Sequence, residues 1–177
     1  MTTRPAANES NAYYARYIAL VPDGDLLAIL AQQANDVAAL MYAYSPVQGQ
    51  YRPAPDEWNA IEIVGHLADT ERVLTYRALR IARADPTPLE GVSDFAAYVT
   101  AANFAGRVLD DVVAEYLAVR QATIAFLRGL DAAAWGRHGS ADGEPITVRA
   151  LAYIVAGHDL HHLADLRHYH AAATSGQ

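Results

Sequence analysis

Gly157-His158-Asp159-Leu160-His161-His162 lies inside a helical pattern that runs from Thr147 to about Tyr169. His158 and His162 are four residues apart, so they share one helix face, one turn from each other. Leu151, Ile154, Val155, Leu166 and Tyr169 fall on that face too. Two imidazoles therefore point where the apolar side chains point. Burying them side by side is unfavourable unless something occupies their lone pairs. A divalent metal does so, because a neutral imidazole offers one nitrogen while a neighbouring group holds the other N–H. The competing reading is two ordinary histidines on a polar flank, and the pair alone does not decide. His161 is rotated about 100° from His162 and cannot share its direction. His168 and His170 flank the helix end, where a cationic imidazole suits the C-terminal carbonyls.

A second helix, Asn59 to Arg83, adds to the case. Asn59 and Glu62 have the spacing of a capping box. The inward stripe reads Ile63, His66, Leu67, Thr70, Leu74, Arg77 and Ile81. A single histidine on such a stripe is usually a packed core residue. Three histidines facing one core, in a chain without cysteine, make the donor set of an open zinc-type site. Asp69 lies three residues after His66 and Glu62 four before it. Either could orient an imidazole or accept a proton. Asp69 is the candidate catalytic base, whereas capping is the simpler role for Glu62.

The remaining segments read as scaffold. Residues 1–10 are polar and are expected to be disordered. Tyr13, Tyr14 and Tyr17 suggest a short helix or a segment draped on the bundle. Pro22-Asp23-Gly24-Asp25 is a turn, with Asp25 a helix cap. Leu26 to Tyr44 carries one apolar stripe. Pro46, Gly49, Pro53 and Pro55 make 45–58 a loop, with Trp58 plugging an end of the bundle. Residues 84–106 form a long connector in which Ser93 can cap a short helix. Arg107 to Leu130 is a third long helix that shows no chemistry of its own. Asp131 can cap a short turn, and the glycines of 136–146 predict a flexible loop. Residues 172–177 read as a disordered tail. The expected fold is all-α: one domain over residues 11–171, a four-helix bundle with a long crossover between its second and third helices.

Composition narrows the function. The 177 residues include 53% hydrophobic ones, and mean hydropathy is +0.01, which describes one globular domain. With no cysteine there is no disulfide, iron–sulfur cluster or cysteine nucleophile. All 13 basic residues are arginine, which excludes a lysine Schiff base. A net charge of −7 without a basic block argues against a nucleic-acid partner. No apolar run approaches the ~20 residues of a membrane span, and no signal-peptide core opens the chain, so a cytoplasmic location is expected.

Trp58, Gly65-His66-Leu67-Ala68-Asp69-Thr70-Glu71-Arg72, Arg77-Ala78-Leu79-Arg80 and Ala156-Gly157-His158-Asp159-Leu160-His161-His162 together resemble the DinB/YfiT-like family, over nearly the whole chain. The resemblance implies a four-helix bundle with a long central crossover. It implies a divalent metal, zinc or nickel, on His66, His158 and His162. Characterised members use low-molecular-weight thiols such as bacillithiol or mycothiol, or isomerise maleylpyruvate with a thiol cofactor, and many are dimers. The expectation is therefore a thiol-dependent S-transferase that acts on electrophilic small molecules through a metal-bound thiolate, assembled as a homodimer. The alternatives are a metal-dependent hydrolase using metal-bound water, or a non-catalytic metal-binding stress-response scaffold.

Overall fold

Four long helices form where the apolar stripes predict them, and their capping residues set where they begin. The structure is a computed structural model that describes residues 3–92 and 94–175. In chain order the elements are α1 (Ala12–Leu20), α2 (Leu26–Tyr42), α3 (Pro46–Gly49), α4 (Ala60–Ala82), α5 (Phe95–Ala102), α6 (Leu109–Arg128), α7 (Ala132–Trp135), β1 (His138–Ala141), β2 (Glu144–Thr147) and α8 (Val148–Ser175). Asp25 caps α2 through Leu27 N, and Asn59 with Glu62 closes both hydrogen bonds of the capping box on α4. Thr147 Oγ1 accepts from Ala150 N at 3.0 Å, which starts α8.

The bundle is built from α2, α4, α6 and α8. Helices α2 and α4 each pack on both α6 and α8, so the order around the bundle is α2, α6, α4, α8. The long connection expected between the second and third long helices is residues 83–108, and it carries α5. Within the bundle lie two apolar clusters. One gathers Leu26, Leu30, Leu74, Ile81, Leu127, Leu151 and Ile154. The other gathers Val37, Met41, Leu67, Val112, Tyr116, Leu163 and Leu166. Between them each long helix presents buried polar groups: Gln33 on α2, Thr70 and Glu71 on α4, Arg120 and Thr123 on α6, His158 and Asp159 on α8. The fold thus places a polar layer across the middle of an apolar bundle.

Several local expectations change. Residues 136–146 are a hairpin rather than a flexible loop, with His138 paired to Thr147 and Ala141 to Glu144. Its two-residue turn is Asp142-Gly143, both at positive φ, the arrangement that suits the twist of a tight hairpin. The hairpin is tied to the connector, since Leu89 N donates to Ser140 O and Asp142 N donates to Leu89 O. Within the proline-rich segment Ser45 and Gln48 form a capping box around the single turn α3, whose first residue is Pro46. Residues 3–10, expected to be disordered, lie against the bundle: Glu9 is buried and accepts from Thr147 and Arg149, while Arg4 donates to Ile18 O and Val21 O. These contacts join complementary charges and free helix-end carbonyls. The alanine-rich end of α8 keeps its helix to Ser175, beyond the expected end near Tyr169. Asp94 caps α5; the candidate cap Ser93 lies outside the described residues.

Candidate metal centre

His66 on α4 and His158 and His162 on α8 meet at one point of the bundle. Each offers a ring nitrogen, and the three nitrogens lie within 4.8 Å of one another. His66 Nε2 and His158 Nε2 are 3.2 Å apart. Two glycines bring the surrounding elements in. A Cβ on Gly157 would sit 2.0 Å from the carbonyl oxygen of Tyr17, so only glycine lets α1 settle on α8 beside His158. A Cβ on Gly65 would collide with the Phe104 ring at 2.4 Å, next to His66. Trp58 lies against His66 with ring centroids 4.7 Å apart, so it walls the histidines as well as closing the bundle. Tyr17 meets His158 edge-on at 5.4 Å, and Phe95 meets His66 edge-on at 5.3 Å.

Protonation and orientation both suit metal binding. Burial, reinforced by the neighbouring His162, pushes His66 down to about 3. Burial also holds His158 well below the ordinary histidine value, with His162 and His66 acting in the same direction. Both rings are therefore neutral at pH 7, the form that ligates. Asp165 Oδ2 lies 3.1 Å from His162 Nδ1, where a carboxylate accepts the Nδ1 proton and leaves Nε2 as the lone pair. Thr70 Oγ1 lies 3.3 Å from His66 Nδ1. Two nitrogens bound to one tetrahedral zinc at about 2.0–2.1 Å are roughly 3.4 Å apart, close to the His66–His158 separation. A shared proton could satisfy that pair but would leave no such partner for a third imidazole converging on it. The donor set thus fits a divalent ion with room for a further ligand.

The histidines form one end of a cavity of about 500 Å³. Tyr13, Tyr14, Tyr17, Trp58 and Phe95 supply aromatic walls, and Asp142 of the hairpin turn reaches its rim. Arg16 lies over the Tyr13 and Tyr17 rings at 4.1 and 4.8 Å. His161 borders the cavity, where it is half exposed and 4.0 Å from Asp165. Burial and the adjacent His162 move it below the ordinary value.

Asp69, expected as the base, is elsewhere. Its carboxylate pairs with Arg72 at 3.0 Å, and it is not among the residues that line the cavity. A shift of three positions from His66 along α4 turns it about 60° off the inward face. The carboxylate that does reach the histidines is Asp165, three residues after His162. Its spacing was visible in the sequence. Glu62 caps its helix and pairs with Arg52. A second buried polar group had no sequence signal at all. Arg120 bonds Glu71 in a two-point grip at 2.8–3.0 Å and Asp159 at 2.6 Å, and Tyr116 donates to Asp159 at 2.5 Å.

Comparison with the curated proteins finds no sequence match. Among solved structures, the fold resembles YfiT from Bacillus subtilis, described as a probable metal-dependent hydrolase with an unusual four-helix bundle topology. The TM-score is 0.74 at 17% identity, over 94% of this chain and 91% of that one. It also resembles the mycothiol-dependent maleylpyruvate isomerase, with a TM-score of 0.68 at 12% identity, over 84% of this chain and 62% of that one. At these identities the likeness is one of fold. The sequence model of the DinB superfamily matches residues 29–166, which runs from within α2 past His162 of α8 and takes in His66, His158 and His162, and on that match the chain belongs to the DinB superfamily.

Proposed function

We propose that this chain is a metal-dependent enzyme that transfers a low-molecular-weight thiol to an electrophilic small molecule, with His66, His158 and His162 holding one zinc or nickel ion. The observation that carries this reading is the convergence of three imidazoles, two of them held neutral, at the end of an aromatic-walled cavity. A divalent ion held there supplies Lewis acidity, which makes a thiol a stronger nucleophile at neutral pH. Three neutral donors leave the ion's charge uncancelled, which favours an anionic sulfur over a neutral ligand. Asp165 and Thr70 fix the rings of His162 and His66. Trp58 and Tyr17 exclude water from two sides. His161 at the cavity wall is placed to take up the proton that a thiol gives up. A volume near 500 Å³ accommodates a small thiol beside a small electrophile.

Metal-assisted hydrolysis is the second reading, supported by the fold likeness to YfiT, itself described as a probable metal-dependent hydrolase. A non-catalytic metal-binding scaffold is the third. Protein purified without chelator or affinity tag is expected to carry one divalent ion per chain, and His66→Ala to carry none while keeping its helical circular dichroism. Metal retained at full stoichiometry in that variant overturns the ligand assignment, and no metal in the parent protein removes all three readings and leaves a plain helical scaffold with packed histidines. Turnover of an electrophilic reporter that depends on added thiol favours transfer. Turnover of an ester without thiol favours hydrolysis. The homodimer expectation belongs to the same reading, and sedimentation of the purified protein decides it.

A further inference from the structure

Two arginines are buried among the described residues, Arg77 and Arg120. Arg120 is fully paired. Arg77, 5% exposed, has one hydrogen bond among the described residues, from Nη2 to Glu90 O at 2.8 Å. No carboxylate of the described residues lies within ion-pair distance of it. A guanidinium carries five N–H donors and stays charged, so an unmatched one in a buried place is costly. No fully buried side-chain nitrogen of the described residues lacks a partner, so the Arg77 donors that make no hydrogen bond are accessible to solvent. Arg77 borders the histidine cavity and also a shallower groove past Leu89 and Glu90.

The cavity has a direction. His66, Thr70, Val73, Leu74 and Arg77 line it from one face of α4. Arg77 is eleven residues after His66, which sets it within about 20° of the same direction and about 16 Å further along the axis. The floor therefore runs from the imidazoles, over threonine, valine and leucine, to a guanidinium. Besides histidine and tyrosine, the ionisable acidic and basic side chains on the lining, among the described residues, are Asp142 and Arg77. Arg77 is the one arginine or lysine on that lining among the described residues, and a planar guanidinium matches a carboxylate in a two-point grip.

We propose that Arg77 is the anchor for a carboxylate on the small molecule this cavity binds, at the end remote from the histidines, and that the substrate class is an elongated carboxylic acid with an apolar middle. This deepens the preceding reading of the cavity as a substrate site but does not depend on the metal. The probes are 5-phenylpentanoate and its neutral amide, measured by calorimetry on zinc-loaded protein. The acid is expected to bind at least tenfold more tightly than the amide. Arg77→Gln is expected to bring the ratio below twofold while keeping its zinc, and Arg77→Lys to restore part of it. The metal-free His66→Ala variant is expected to keep the acid preference, so failure of the metal assignment and failure of the anchor read out separately. Should Arg77→Gln not fold, phenylglyoxal modification of Arg77 in the parent protein, mapped by mass spectrometry, is expected to be blocked by the acid and not by the amide. Equal binding of both probes, no binding of either at millimolar concentration, a preserved preference in Arg77→Gln, or no protection overturns the proposal.

Discussion

The bundle buries two polar clusters side by side, and they are solved in opposite ways. Around Arg120, charges are matched within the protein: Glu71 and Asp159 take its guanidinium, Leu30 O takes another donor at 3.0 Å, and Tyr116 completes Asp159. Burial pushes Glu71 upward while Arg120 pulls it down, and burial with Asp159 keeps Tyr116 protonated well above its ordinary range. Around His158 the one carboxylate against the three rings, among the described residues, is Asp165 at His162 Nδ1. The His66 and His158 rings are kept neutral, and their nitrogens converge with one of His162 on the end of a cavity. Asp159 and His158 are sequence neighbours, so one turn of α8 serves both. A buried cluster closed by its own partners holds the fold. A buried cluster left with lone pairs facing open space is built to receive something.

The largest effect should come from breaking the closed cluster. Arg120→Met leaves two buried carboxylates without their cation and is expected to cost about 3–5 kcal/mol in denaturant unfolding. His158→Leu in metal-free protein removes a neutral ring and leaves no charge behind, so it should cost about 1 kcal/mol or less. Equal losses for the two variants would erase the distinction between the clusters.

Acid separates the clusters next. His66 and His158 have folded-state values below the unfolded value near 6.5, so the unfolded chain binds more protons in that window. Stability of the metal-free protein therefore falls as pH drops below 6.5, at up to about 1.4 kcal/mol per pH unit for each histidine. His161 moves the same way, more weakly because it is more exposed. The carboxylates held low, Glu9, Asp85, Glu115 and Asp165, lose their contribution only below their unfolded values of 3.8–4.5. Between pH 6.5 and 4.5 the histidines drive the fall in stability, and Glu71, raised above its unfolded value by burial, opposes them as it takes up its proton in the folded state. Urea melts of His66→Ala should show that slope reduced by about one proton.

The open cluster was far more legible in the sequence than the closed one. Histidines at i and i+4 on an apolar face, with a third on the inward stripe of another helix, need only helical periodicity to be seen. Glu71 and Arg120 carry no such mark. On a single helix each looks like an ordinary solvated charge, and only a partner 49 positions away makes burial tolerable. Gln33 likewise looks like a solvated side chain on its own helix, yet it is buried and donates to Ala156 O. Arg77 did stand in the inward stripe, and its lack of a partner became visible only in three dimensions. The hairpin has a short sequence signal. Asp142-Gly143 is a two-residue turn sequence, but the glycines around it suggested a loop, and the strands are held by the Leu89 segment rather than by their own propensity.

Two carboxylates give the finest test of the comparison, because each lies three positions from a histidine. Asp165 is 3.1 Å from His162 Nδ1, so Asp165→Asn should weaken zinc binding about tenfold in a competition titration against a chelating dye, with helicity unchanged. Asp69→Asn should do almost nothing. Its partner is Arg72, which is also bound to Glu115 at 2.7 Å and so keeps an ion pair when Asp69 is neutralised. A surface pair of this kind contributes about 0.2–1 kcal/mol, and part of that survives through Glu115. Zinc affinity and turnover with a saturating thiol should both stay within twofold of the parent. A loss of turnover by a hundredfold with zinc still bound would restore Asp69 as the base and require α4 to rotate its carboxylate toward His66 in the working enzyme. Spacing along a helix fixes only which face a side chain leaves from. Which neighbour captures it, Arg72 for Asp69 or His162 for Asp165, decides whether it reaches the centre.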